Sequence, residues 1–171
     1  MNMKKSVRFA LLFAVAAFAG TGCASLRQGT SVKGLELPIE KAAIRFAADV
    51  REGGYKVVPA EEMKKWLDAK RKMIVIDTLP ADERAALGHI EGSVNAPMPK
   101  SEKELTPADR ERLLAAAGAD KDTAIVLYCG FVACRRSHHG ARILVENGYK
   151  DVNRYPAGIV GWMEAGYPLA K

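Results

Sequence analysis

Residues 124–146 read AIVLYCGFVACRRSHHGARILVE. Ile125, Val126 and Leu127 form a short apolar, β-branched run of the kind seen when both faces of a strand are covered, as in a parallel sheet. Ala141, Leu144 and Val145 then recur at helical spacing. Strand, loop and helix in this order put Cys129 at the carboxyl end of a strand. Backbone N–H groups of the loop beyond it, and the positive end of the helix, would favour thiolate over thiol. The segment predicts an α/β fold and cysteine chemistry on, or with, a small anion.

Outward from this stretch the chain keeps alternating. Pro38 opens a helical pattern that runs to Val50, with Ile39, Ala43, Phe46, Ala47 and Val50 on one side, and Gly53-Gly54 stops it. Tyr55 to Val58 reads as a short strand. Pro59 and AEEMKKWLDAK start a helix with Met63, Trp66 and Leu67 facing inward, and MIVID at 73–77 is a buried strand. An irregular stretch follows, then a short strand at 93–96 and a helix over Pro107 to Ala117 ended by Gly118. Val152 to Tyr155 and Ile159 to Ala165 supply a last strand and a last helix. Such alternation indicates one α/β domain with a mainly parallel sheet.

The N-terminus reads as an address. Lys4, Lys5 and Arg8 precede an apolar stretch from Phe9 to Gly20 that is too short to span a bilayer and has the order of a bacterial secretory signal. Thr21, Gly22 and Cys23 resemble the lipobox of bacterial lipoproteins, in which the cysteine is lipidated and becomes the first mature residue. Gly20 stands where leucine is commoner, so ordinary cleavage near Ala24 is the alternative. The expected organisation is a signal peptide at 1–22, a polar tether at 23–37, a helical extension at 38–54 and the α/β domain at 55–171. The expected location is the periplasmic side of a bacterial envelope, on a lipid anchor at Cys23.

The chain carries 26 Lys and Arg against 20 Asp and Glu, a net charge of +6. Residues 1–22 hold three of the basic residues and no acid, so the remainder is only +3. Its basic residues are scattered among acidic ones rather than gathered with aromatics, which excludes a nucleic-acid stripe. Of the three cysteines, a lipidated Cys23 leaves Cys129 and Cys134 in one loop. A bond between them would close a very short ring and constrain the unfolded chain little, so the pair reads as reactive rather than structural.

Four segments in order, MIVIDTLP, GHIEGSVNAP, IVLYC and ENGYKDVNRYPAGIVGWMEAGYP, resemble the rhodanese-like sulfurtransferase domain from about Tyr55 to the C-terminus. The resemblance implies a five-stranded sheet flanked by helices, with the cysteine in a cradle loop, and residues 38–54 lie outside it. It also implies that Cys129 takes sulfane sulfur from thiosulfate or polysulfide as a persulfide and passes it to cyanide or a thiol. No organic cofactor is implied. Asp77 and His89 are expected to organise loops beside the sheet, and Trp162 to belong to the core.

The loop departs from the commonest family pattern, in which four residues separate the cysteine from Arg-Ser or Arg-Thr. Here Cys129 is followed by Gly130, Phe131, Val132, Ala133, Cys134, Arg135, Arg136 and Ser137. Cysteine, five residues, Arg135 is similar to the loop of rhodanese-fold phosphatases and arsenate reductases, though those place His before the cysteine where this chain has Tyr128. A group of envelope rhodanese-like proteins with a YC-four-residues-C pattern and a following Ser-His looks closer. The expectations are therefore a sulfurtransferase, with a phosphatase or arsenate-reductase-like enzyme and a non-catalytic binding module as alternatives. Residues 130–137 are expected to form the anion-binding loop, at least one of Arg135 and Arg136 serving an anion or a carboxylate. Ser137 either points into the cradle or caps the helix. Cys129 is expected to be essential and Cys134 modulatory, a candidate redox partner. His138 and His139 beside the cysteines lack a zinc ribbon's second knuckle, so no metal is expected.

Overall fold

Of the 171 residues, the computed structural model describes 36–171. The signal segment, Cys23 and the tether up to residue 35 lie outside the described residues. In chain order the elements are α1 (Glu36–Gly53), β1 (Lys56–Val57), α2 (Ala60–Asp68), β2 (Met73–Asp77), α3 (Ala81–Leu87), β3 (Val94–Asn95), α4 (Pro107–Ala117), β4 (Ala124–Tyr128), α5 (Arg136–Glu146), β5 (Val152–Tyr155) and α6 (Gly158–Glu164). The compact unit Glu40–Lys171 takes in all of these except the first turn of α1. Among the described residues no helix is long and apolar enough to cross a membrane.

All five strands run parallel, in the order β1-β5-β4-β2-β3. Central β4 pairs with β2 from Met73↔Ala124 to Asp77↔Tyr128 and with β5 from Ile125↔Val152 to Tyr128↔Tyr155. Successive residues of a strand face opposite sides, and the cores divide accordingly. Ile76, Ile125 and Leu127 join Leu113 of α4 with Ala141 and Leu144 of α5. Val75, Val126 and Tyr128 join Met63 of α2 with Ile159 and Trp162 of α6. Trp162 is in the core as expected, its indole N–H donating to Pro168 O at 2.9 Å.

Two elements differ from the sequence reading. The stretch read as irregular contains α3, seven residues entered from Pro80. It is shorter than two helical turns and has no apolar periodicity to announce it. Helix α1 begins at Glu36, two residues before Pro38. Proline in a first turn costs nothing, because the N–H groups there lack helical partners. The packed face of α1 also differs: Phe46 and Val50 are partly buried on it, but Ala43 and Ala47 are exposed and the fully buried side chain is Asp49.

Candidate active site

Strand β4 ends at Tyr128, and the loop from Cys129 to Arg135 carries the chain into α5. The front of this loop is fixed by α6. Ile159 N–H donates to Cys129 O at 2.8 Å and Val160 N–H to Gly130 O at 3.0 Å. Gly158, at φ +61°, lies so close that a Cβ there would stand 2.2 Å from Cys129 O. Only glycine tolerates both the backbone angle and the approach. This explains the glycine in YPAGIV: it lets α6 hold the carbonyls of Cys129 and Gly130, which turns the neighbouring N–H groups the other way.

The back of the loop is fixed by Arg154, a β5 residue with no exposed surface. Its guanidinium donates to Cys134 O at 2.9 Å, Val132 O at 3.2 Å, Ser137 Oγ at 3.0 Å and Tyr55 Oη at 3.2 Å. It also lies 3.7 Å from Asp49 Oδ2 and stacks over the Phe46 ring. A buried guanidinium is tolerable only when its charge is met and its donors are used, and here α1, Tyr55 just before β1, α5 and the loop share that task. Ser137 is inside the cradle, with Oγ 3.2 Å from Cys129 Sγ, while no side chain caps α5.

Arg135 and Arg136 diverge. Arg135 turns to α1, where Asp49 accepts at 3.0 and 3.4 Å and Glu52 lies 3.8 Å away. Arg136 turns to α3, pairing with Glu83 at 2.9 Å and donating through Nε to Met98 O at 3.1 Å. The same guanidinium passes within 3.8 Å of Cys134 Sγ.

The two thiols have opposite surroundings. Cys129 is 1% exposed, with Sγ 3.2 Å from the carbonyl oxygen of Cys134 and 4.0 Å from that of Phe131. Burial pushes its ionisation well up, with Cys134 adding to the push and Ser137 opposing it. Cys134 is held down to about 5: the Cys129 thiol hydrogen-bonds to it, and the N–H groups of Arg136 and Gly130 with the Arg136 side chain outweigh partial burial. The N–H groups that the sequence reading directs at Cys129 are divided: that of Ser137 meets Cys129, and those of Gly130 and Arg136 meet Cys134. A cavity of about 390 Å³ opens here, bordered by Cys134, by Arg45, Lys100, Arg135 and Arg136, and by Glu83. Gly130, Phe131 and Ala133 also border it, whereas Cys129 does not.

The paired histidines lie behind the loop. The Tyr55 hydroxyl accepts from Arg154 and stands 3.0 Å from His138 Nδ1. Burial drives His138 down to about 4, so the ring is neutral at pH 7. The second ring nitrogen, Nε2, is buried without a hydrogen-bond partner, 3.9 Å from both Asp49 and Glu52. Asp49, Glu52 and His138 bring ligand atoms within 4.8 Å of one another. Arg135 and Arg154 already balance Asp49, and Arg142 pairs with Glu52 at 2.9 Å, so cations occupy the place a metal's charge would take.

Asp77 organises the neighbouring loops: it accepts from Leu79 N–H, Arg84 and the Tyr128 hydroxyl at 2.8–2.9 Å. His89 joins the C-terminus through paired backbone bonds to Ala170. Sequence reading did not single out Asp49, Glu83 or Arg154. Arg154 had a signal: an arginine in a strand of a doubly covered parallel sheet must be buried and paired.

The Rhodanese-like domain model matches residues 59–165. Among curated proteins none matches the sequence. A thiosulfate sulfurtransferase from Pseudomonas aeruginosa is 23% identical, with a TM-score of 0.58 over 75% of this chain and 22% of its own. The chain thus spans about a fifth of that enzyme. A polysulfide-sulfur transferase homodimer from Wolinella succinogenes is 20% identical, with a TM-score of 0.56 over 80% of this chain and 89% of its own. A Rhodopseudomonas palustris protein described as a possible tyrosine phosphatase is 17% identical, with a TM-score of 0.50 over 82% of this chain and 96% of its own. At these identities the likeness is one of fold.

Proposed function

The chain belongs to the rhodanese-like domain family, and from that premise we propose that it is a sulfurtransferase moving sulfane sulfur from thiosulfate or polysulfide to a thiol or cyanide. The sulfur is carried as a persulfide in the cradle loop, with Cys129 the carrier that the family resemblance designates. One observation bears most of this reading: two cysteines share a loop at the carboxyl end of the parallel sheet, beside a cavity bordered by four cationic side chains. Thiosulfate and polysulfide are anions whose outer sulfur is open to thiolate attack, and covalent transfer through a cysteine splits the reaction into two steps. The loop supplies positive potential without a general base or an organic cofactor.

Intact-mass measurement after incubation with thiosulfate or polysulfide tests the reading. The protein should gain sulfur, lose it to cyanide or dithiothreitol, and gain none when both Cys129 and Cys134 are serine. Aryl-phosphate hydrolysis or arsenate reduction without sulfur uptake would establish the phosphatase-like alternative, against which the pairing of Arg135 with Asp49 weighs. Neither activity in folded protein would leave a binding module.

The location follows from the N-terminal segment. We place the domain on the periplasmic side of the envelope, held by a lipid on Cys23. The membrane fraction should yield a chain of acylated mass that becomes soluble on Cys23→Ala, and a soluble wild type without acyl mass would refute the anchor.

A further inference from the structure

We propose that sulfur enters this protein at Cys134 rather than at the strand-end Cys129. The inference rests on the sulfurtransferase reading and deepens it by naming the thiol that meets the donor. Cys134 borders the cation-lined cavity and Cys129 does not. The Arg136 guanidinium reaches Cys134 Sγ at 3.8 Å, while Cys129 Sγ lies 3.2 Å from the carbonyl oxygen of Cys134 and meets the hydroxyl and N–H of Ser137 rather than a cation. A carbonyl oxygen repels a thiolate, whereas a guanidinium stabilises one, and only Cys134 has the guanidinium. The groups facing Cys134 are Cys129 and the Gly130 N–H from the loop and Arg136 from α5, with Glu83 of α3 paired to that arginine. Lys100 and Arg45 border the cavity that a donor would occupy. The downward displacement of the Cys134 ionisation agrees with this geometry.

The chemistry balances without an added oxidant or reductant. The Cys134 thiolate attacks the outer sulfur of thiosulfate, a Cys134 S–S bond forms, the thiosulfate S–S bond breaks, and its electron pair leaves with sulfite. The negative charge of the thiolate passes to the outer sulfur. Passage to Cys129 is then a thiol exchange between neighbours. The Cys129 proton moves to the outer sulfur, Cys129 Sγ bonds to that sulfur, and the pair from the broken bond returns to Cys134 as thiolate.

Two measurements test the assignment. In the wild type at pH 6, iodoacetamide followed by peptide mass mapping should label Cys134 at least about tenfold faster than Cys129, because the thiolate is the reacting form. Label on Cys129 first would overturn it. With thiosulfate, Cys129→Ser should still gain one sulfur, found on Cys134 and acquired more slowly than in wild type, while Cys134→Ser should load at least about tenfold more slowly than Cys129→Ser, because its remaining thiol is sealed. Ready loading of Cys134→Ser with none in Cys129→Ser would overturn this proposal alone. A wild type that takes sulfur from neither thiosulfate nor polysulfide would remove the sulfurtransferase reading and this proposal with it.

Discussion

Two buried aspartates, Asp77 and Asp49, both meet arginines, yet their surroundings differ in completeness. Asp77 has all its partners close at hand: Leu79 N–H, Arg84 and Tyr128 donate to it, and Arg84 and Tyr128 bond in turn to Ser93 and Ile90. Asp49 comes from α1, before the family-matched segment, and reaches Arg135 across 86 positions. Its neighbour Arg154 is at 3.7 Å, and the adjacent His138 Nε2 has no hydrogen-bond partner. A closed cluster of this kind braces loops. The other, joined through Arg154 to the carbonyls of Val132 and Cys134, holds the loop that carries the two cysteines.

The comparison breaks most severely at Arg154. Arg154→Ala strips donors from Cys134 O, Val132 O and Ser137 Oγ and leaves Asp49 with one arginine fewer, so urea unfolding should show a loss of about 3–5 kcal/mol. The folded fraction should load no sulfur, since the loop loses the support behind both thiols. Retained loading would show that the cluster is structural after all. Asp77→Asn should cost about 2 kcal/mol by removing the charge that Arg84 and Tyr128 meet. Sulfur loading per folded molecule should be unchanged, and a large kinetic defect would erase the distinction between the clusters.

Asp49→Asn is a gentler change, because Arg135 is partly exposed and keeps Glu52. Freed charge at the cavity should lower KM for thiosulfate by about two- to threefold at low ionic strength, and the gain should vanish in 0.5 M salt (roughly a Debye length of 4 Å). The smallest effect concerns pH. Burial, opposed by Asp49, holds folded His138 below its unfolded value to about 4. The unfolded chain then binds the extra proton first as pH falls, so this group's contribution is present above pH 6.5 and is lost on the way down to about 4. Thermal midpoints measured from pH 7 to 4 should fall, and His138→Gln should flatten that fall.

How much of this was legible follows from what each residue does locally. β4 declares itself through its apolar run and α5 through Ala141, Leu144 and Val145; the alternation of elements indicates a mainly parallel sheet, the family resemblance implies five strands, and all five prove parallel. The cradle loop was legible as a position but not as a geometry. Which way its N–H groups turn depends on Gly158 and on the α6 amides that claim the carbonyls of Cys129 and Gly130. Asp49 sits within the apolar stripe of α1 between Phe46 and Val50, where an acid is unexpected, and its partners lie far along the chain. Glu83 was hidden because α3 is too short to show a period.

The long separations at the cradle also order its assembly in time. During synthesis α1 emerges first, but Asp49 has nothing to neutralise until Arg135 follows 86 positions later, and Tyr55 waits 99 positions for Arg154. Local elements form quickly, while contacts that close long loops come late. A ribosome-bound chain lacking its last strand therefore carries both cysteines without the arginine that holds their loop from behind. The loop around the two cysteines gains its rear support only when β5 is made.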